Sequence, residues 1–132
     1  MSKVIVNGYC YKTSANFLID TGACVSLVST SFVQKLGYEH KIEPCSKIIA
    51  GLDNKPVPCR GQIKLEISIA RTQVREIFIV CDYVENEFLI GTDIMKLLDI
   101  SINFRRKLIS TTHGKVSFID QPFFLSRSTR AR

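Results

Sequence analysis

The sequence predicts a small, mostly β domain carrying two short helices. Three observations lead there. In "QIKLEISIA", Ile63, Leu65, Ile67 and Ile69 alternate with Gln62, Lys64, Glu66 and Ser68, the period-two pattern of a strand with one buried face. The other apolar runs, such as "ANFLI" and "EFLIG", are short and end in an acid or a glycine, which suits strands better than helices. Helical spacing appears only twice, after Gly22 and after Gly91. A chain of 132 residues with 45% hydrophobic and 23% charged residues fits one domain with a real core.

The elements are expected in the following order. "KVIV" and "YCYK" flank Asn7-Gly8, a strong hairpin signal, so the chain is expected to turn there. "ANFLI" reads as an interior strand. Val25, Val28, Phe32, Val33 and Leu36 recur at helical spacing and Gly37 stands where a C-cap would sit, which predicts a helix over Ser26–Leu36. From Lys41 to Gly61 the prolines and glycines around Asp53-Asn54 predict a long hairpin or loop. "QIKLEISIA" and "VREIFIVCD" follow as strands, then "EFLIG". "TDIMKLLDI" predicts a helix with Thr92 as N-cap. "SINF", "KLIST" and "KVSFI" read as closing strands, with a turn at His113-Gly114.

Several function classes are disfavoured. No run of about 18 apolar residues marks a membrane span, and "MSKVIVNGYC" lacks the pattern of a secretory leader. Cys10, Cys24, Cys45, Cys59 and Cys81 are odd in number and none are closely spaced, so reduced thiols are expected rather than a metal site or a disulfide framework. No cofactor is implied. The net charge of +6 is concentrated in "NFRRKL" and "SRSTRAR". Solvated faces and a basic end explain it; nucleic-acid binding ranks last, since no aromatic residue interleaves with the basic ones in the tail.

The chemistry points to "FLIDTGACVSLVS". Here an apolar strand runs straight into Asp20, followed by Thr21-Gly22-Ala23. Asp before a small-residue turn is common, and its side chain often bonds its own backbone. Context favours more. A carboxylate that performs hydrolysis must sit on a stiff element with close backbone neighbours, and "FLIG" repeats the same shape downstream.

These residues resemble the active-site motif of the retropepsins, the aspartic proteases of retroviruses and LTR retrotransposons. "FLIGTDIMKLLDISINF" resembles their second signature, and "LIGTDIMKLLDISINFRRKLI" is most similar to gypsy-type transposon proteases. The resemblance covers Lys3 to Ile119. It implies a retropepsin-like closed β-barrel, the acid protease fold, with one lobe per chain, a flap hairpin and a short C-terminal helix. Residues 1–120 would be the protease domain and 121–132 a basic tail.

The resemblance also implies a function: an aspartic endopeptidase with Asp20 as catalytic acid. Thr21, Gly22 and Ala23 would support the active-site loop. Ile49, Ala50, Gly51, Leu52 and Asp53 would belong to a flap that binds substrate. Leu89, Ile90 and Gly91 would form the second signature, with Leu89 and Ile90 serving the core. The chain carries one Asp-Thr-Gly, so the second acid must come from a second copy and a C2 homodimer is expected. The substrate would be a polyprotein, and the location cytoplasmic or within retroelement particles. "KVSFIDQPFFLSR" either supplies a dimer strand, folds back on its own domain, or links to a downstream region. The family pattern thins at Cys24-Val25, where many retroviral members carry an acid. An alternative is a dimerising or peptide-binding module with little activity.

Overall fold

The computed structural model describes residues 2–45, 59–82 and 84–122. Among them are nine strands and two α-helices: β1 (Ser2–Cys10), β2 (Thr13–Ile19), β3 (Leu27–Ser29), α1 (Thr30–Leu36), β4 (Cys59–Ile69), β5 (Thr72–Cys81), β6 (Phe88–Ile90), α2 (Thr92–Leu98), β7 (Ser101–Asn103), β8 (Leu108–Ser110) and β9 (Lys115–Pro122). The strands run in the order β2-β6-β3-β5-β4-β1-β9-β8-β7, and β1 also pairs with β2. That pairing closes β2, β6, β3, β5, β4 and β1 into a ring, the mostly β barrel expected from the sequence.

The first hairpin differs from expectation. β1 runs unbroken through Asn7-Gly8, and the turn falls at Tyr11-Lys12, between the paired Cys10 and Thr13. The reason is packing. A Cβ on Gly8 would lie 2.4 Å from the Ser68 carbonyl oxygen and 3.0 Å from the Phe17 ring, so glycine is needed where β1 crosses β4. Asn7 is held as a strand residue, donating from Nδ2 across the ladder to Ser14 Oγ and the Ala15 carbonyl.

The first helix is also shorter than predicted. Residues 27–29 form β3, parallel to β5 and antiparallel to β6. Only then does α1 begin, with Ser29 as N-cap accepting a hydrogen bond from the Phe32 N–H. Apolar residues at 28, 32 and 33 serve a buried strand as well as a helix face, which is why spacing alone could not find this boundary. Gly37 closes α1 as expected, at φ 75°.

β4 reproduces the predicted alternation, with Ile63, Leu65, Ile67 and Ile69 buried. They join one apolar cluster with Val4, Val6, Phe17, Phe32, Phe78, Phe88, Ile94 and Leu98. Phe88 is its hub. Its ring lies 4.7 Å from Phe17, 5.2 Å from Phe32 and 5.1 Å from Phe78, tying β6 to β2, α1 and β5.

At the far end, β9 folds back on its own chain. It pairs with β8 over Lys115–Ser117 and with β1 over Phe118–Pro122. Residues 123–125, the remaining apolar part of that segment and candidates for a dimer strand, lie outside the described residues. No helix among the described residues is long and apolar enough to cross a membrane.

Candidate active site

β2 and β6 run parallel, with Phe17, Leu18 and Ile19 opposite Phe88, Leu89 and Ile90. Both strands end at the same level, so Asp20 and Gly91 emerge side by side. The ladder continues one step further, because the Asp20 N–H donates to the Ile90 carbonyl at 2.9 Å. Asp20 is thereby fixed at its backbone to the strand that carries the second signature.

The Asp20 carboxylate is half-buried and bonded locally: the Gly22 N–H donates to Oδ1 at 2.9 Å. The Ala23 N–H donates to the Asp20 carbonyl, closing a tight turn. A Cβ on Gly22 would stand 3.3 Å from Oδ1, so glycine lets its own N–H approach that oxygen without crowding. Thr21 and Gly22 are exposed at the tip of the turn, as is Cys24 beyond it.

Two further ties hold the loop from below. The Thr92 N–H and hydroxyl both donate to the Ala23 carbonyl, at 2.9 and 3.3 Å. Thr92 is therefore the first residue of α2 rather than its cap. Gly91 takes the N-cap position and makes no side-chain cap bond. Its lack of a side chain has another use: a Cβ there would lie 2.6 Å from the Val25 carbonyl oxygen and 2.9 Å from that of Ala23.

The second tie is a polar strut that sequence reasoning missed. Ser26 is buried, and its hydroxyl donates to Asp93 Oδ1 at 2.7 Å while accepting from the Gly91 N–H at 2.9 Å. The Ser26 N–H donates to Asp93 Oδ2 at 3.2 Å, and Asp93 Oδ1 also accepts from the Ile94 N–H. Asp93 thus locks the end of the Asp20 loop to the start of α2. The signal is the third residue of "GTD", an acid in the first turn of a helix that follows the glycine.

The expected site residues therefore divide in two. Asp20, Thr21, Gly22 and Ala23 are brought beside Leu89, Ile90 and Gly91, and Ile90 is fully buried as a core residue should be. Ile49, Ala50, Gly51, Leu52 and Asp53 lie outside the described residues. Among the described residues no group of three or more His, Cys, Asp or Glu could hold a metal ion.

A six-strand closed sheet with an Asp-Thr-Gly loop at the end of one inner strand defines a retropepsin-like aspartic protease fold. The family comparison agrees: residues 3–97 match the model described as "gag-polyprotein putative aspartyl protease", and the chain belongs to that family. No individually curated protein sequence matches it. Among solved structures, the retroviral protease-like domain of Ddi1 from Leishmania major superposes with a TM-score of 0.73 at 15% identity, covering 92% of this chain and 100% of that one. EIAV protease, complexed with the inhibitor HBY-793, gives 0.62 at 20% identity, covering 75% and 90%. A retropepsin-like aspartic protease from Rickettsia conorii gives 0.52 at 19% identity, covering 75% and 73%. At these identities the likeness speaks for the fold.

Proposed function

We propose that the protein is an aspartic endopeptidase whose active site is completed by two copies of the chain, each supplying Asp20. One observation carries the reading: a single Asp-Thr-Gly per chain, with Asp20 held by backbone bonds at the end of β2 and its Oδ1 oriented by the Gly22 N–H. Rigid placement of this kind is what a group that must act on a substrate needs.

The chemistry follows from pairing two such carboxylates. In aspartic-protease dyads the two groups lie about 3 Å apart and cannot both ionise, so they share one proton. The ionised Asp20 takes a proton from water as its oxygen attacks the scissile carbonyl carbon. The protonated Asp20 of the second copy donates to the carbonyl oxygen. The tetrahedral diol then collapses and the C–N bond breaks: the amide nitrogen leaves with the proton that the first Asp20 took from water, while the second Asp20 recovers a proton from the diol hydroxyl.

Thr21, exposed beside Asp20, is suited to bonding the opposite loop across the two-fold axis. Ala23 and Gly91 keep the floor of the loop thin. Ile49, Ala50, Gly51, Leu52 and Asp53 are assigned to substrate contacts by resemblance alone. Membership of a gag-polyprotein protease family favours a polyprotein substrate.

The test is cleavage of a mixed peptide library across acidic to neutral pH. Wild type should cleave; Asp20→Asn should not, and pepstatin should inhibit. Cys24-Val25, in place of the acid found in many retroviral members, favours the second reading, a peptide-binding module. A verified dimer that binds library peptides without cutting them would establish that reading instead.

A further inference from the structure

A second cluster of reactive groups stands at the open end of the β4–β5 hairpin. Cys59, the first residue of β4, lies directly opposite Cys81, the last residue of β5. The register then slips by one residue, leaving Arg60 as a bulge before Gly61 pairs with Val80. The bulge turns Arg60 onto Asp82 in a two-pronged ion pair, Nε to Oδ1 and Nη2 to Oδ2, both at 2.9 Å. Asp82 also accepts from the Thr30 hydroxyl at 2.7 Å. The two strand ends carrying the cysteines are therefore clamped together by neighbouring groups.

Opposed residues in an antiparallel pair have Cα atoms about 4.5 or 5.5 Å apart. Both values fall in the range of about 4.4–6.8 Å that a disulfide spans. The two thiols differ in access. Cys59 is exposed and donates a weak hydrogen bond to the Gly61 carbonyl, whereas Cys81 is fully buried. Burial first, then Cys59, Asp82 and Cys45 as neighbours, push the Cys81 thiol up to about 11. Cys81 is thus inert toward solvent oxidants on its own. Cys10 is equally buried but faces Thr13 and Ile67 across its ladders, not a thiol.

We propose that Cys59 and Cys81 are an oxidation site at which a peroxide produces a cross-strand disulfide. In the first step the Cys59 sulfur attacks the peroxide. The O–O bond breaks, an S–O bond forms, and water or alcohol leaves. In the second step the Cys81 sulfur attacks the Cys59 sulfenic acid. The S–S bond forms, the S–O bond breaks, and water leaves with the Cys81 proton. The two sulfurs together lose two electrons, which the peroxide accepts. The exposed thiol acts as entry point and the buried one as resolving partner, an assignment independent of the proposed peptidase activity.

The test treats the full chain with hydrogen peroxide, blocks remaining thiols with N-ethylmaleimide under unfolding conditions, and maps peptides without reduction. The expected product joins Cys59 to Cys81, disappears on reduction with dithiothreitol, and is absent from Cys59→Ser. Cys45→Ser should form the link to the same extent as wild type, which separates the ladder pair from the nearby third thiol. A Cys45–Cys59 link, or Cys59 driven to sulfinic acid while Cys81 remains alkylated, would overturn the proposal.

Discussion

Ser26→Ala should be among the most damaging single-atom deletions in this chain. The hydroxyl is buried and joins two groups, the Asp93 carboxylate and the Gly91 N–H, that hold the Asp20 loop onto α2. Its removal strips the buried Gly91 N–H of its acceptor, which costs about 1–3 kcal/mol. It also removes a bond to a carboxylate, with an ordinary range of about 1.5–3 kcal/mol. Asp93 is partly solvated and can recruit water, so the low end applies to that bond. The sum is about 3 kcal/mol, or a fall in Tm of about 10 °C for a domain of this size. Urea unfolding with Ser31→Ala as an exposed control measures it. The control should stay within about 0.5 kcal/mol of wild type. Asp93→Asn should cost less than Ser26→Ala, and the double variant should cost little more than Ser26→Ala alone, because both remove the same strut. A Ser26→Ala protein as stable as the control, or strict additivity in the cycle, would refute the strut.

Three other perturbations probe separate parts of the fold. Phe88→Ala removes a ring in contact with Phe17, Phe32 and Phe78 and should cost about 3–5 kcal/mol by urea unfolding. Gly8→Ala places a methyl against the Ser68 carbonyl and should cost about 1–3 kcal/mol by thermal melting; a neutral change would restore the reading of Asn7-Gly8 as a turn. Burial raises the Cys10 thiol from 9.0 to about 12 and the Cys81 thiol from 9.0 to about 11. Above pH 9 the unfolded chain releases protons that the folded chain keeps, so stability should fall as pH rises from 9 to 11. The loss is about 1.4 kcal/mol per pH unit for each thiol. Denaturant titrations of Cys10→Ala over that window should show a shallower decline than wild type.

Much of the barrel was legible because burial imposes its period on the residues. Ile63 to Ile69 face one way along β4, and no other structure suits that alternation. The Asp-Thr-Gly loop and the Leu-Ile-Gly strand were legible for a related reason: both demand small residues where backbones meet. What escaped depended on contacts distant in sequence. Gly8 reads as a turn until Ser68 and Phe17 are seen pressing on it. Leu27–Ser29 reads as the first turn of a helix until β5 and β6 are found on either side. Thr92 has the chemistry of a cap, yet its hydroxyl is drawn to the Ala23 carbonyl of the opposing loop. Ser26 and Asp93 are ordinary polar residues singly, and only their meeting across the end of the barrel gives them a role.

The proposed peptidase rests on two copies of Asp20 making one active site. The most direct measurement mixes wild type with Asp20→Asn in varying proportion, unfolds and refolds the mixture to exchange chains, and follows peptide cleavage. If mixed dimers are dead, activity falls with the square of the wild-type fraction, so an equal mixture keeps a quarter of the wild-type rate. A rate that falls in simple proportion, keeping half at equal mixing, would mean each chain works alone and would contradict the shared dyad.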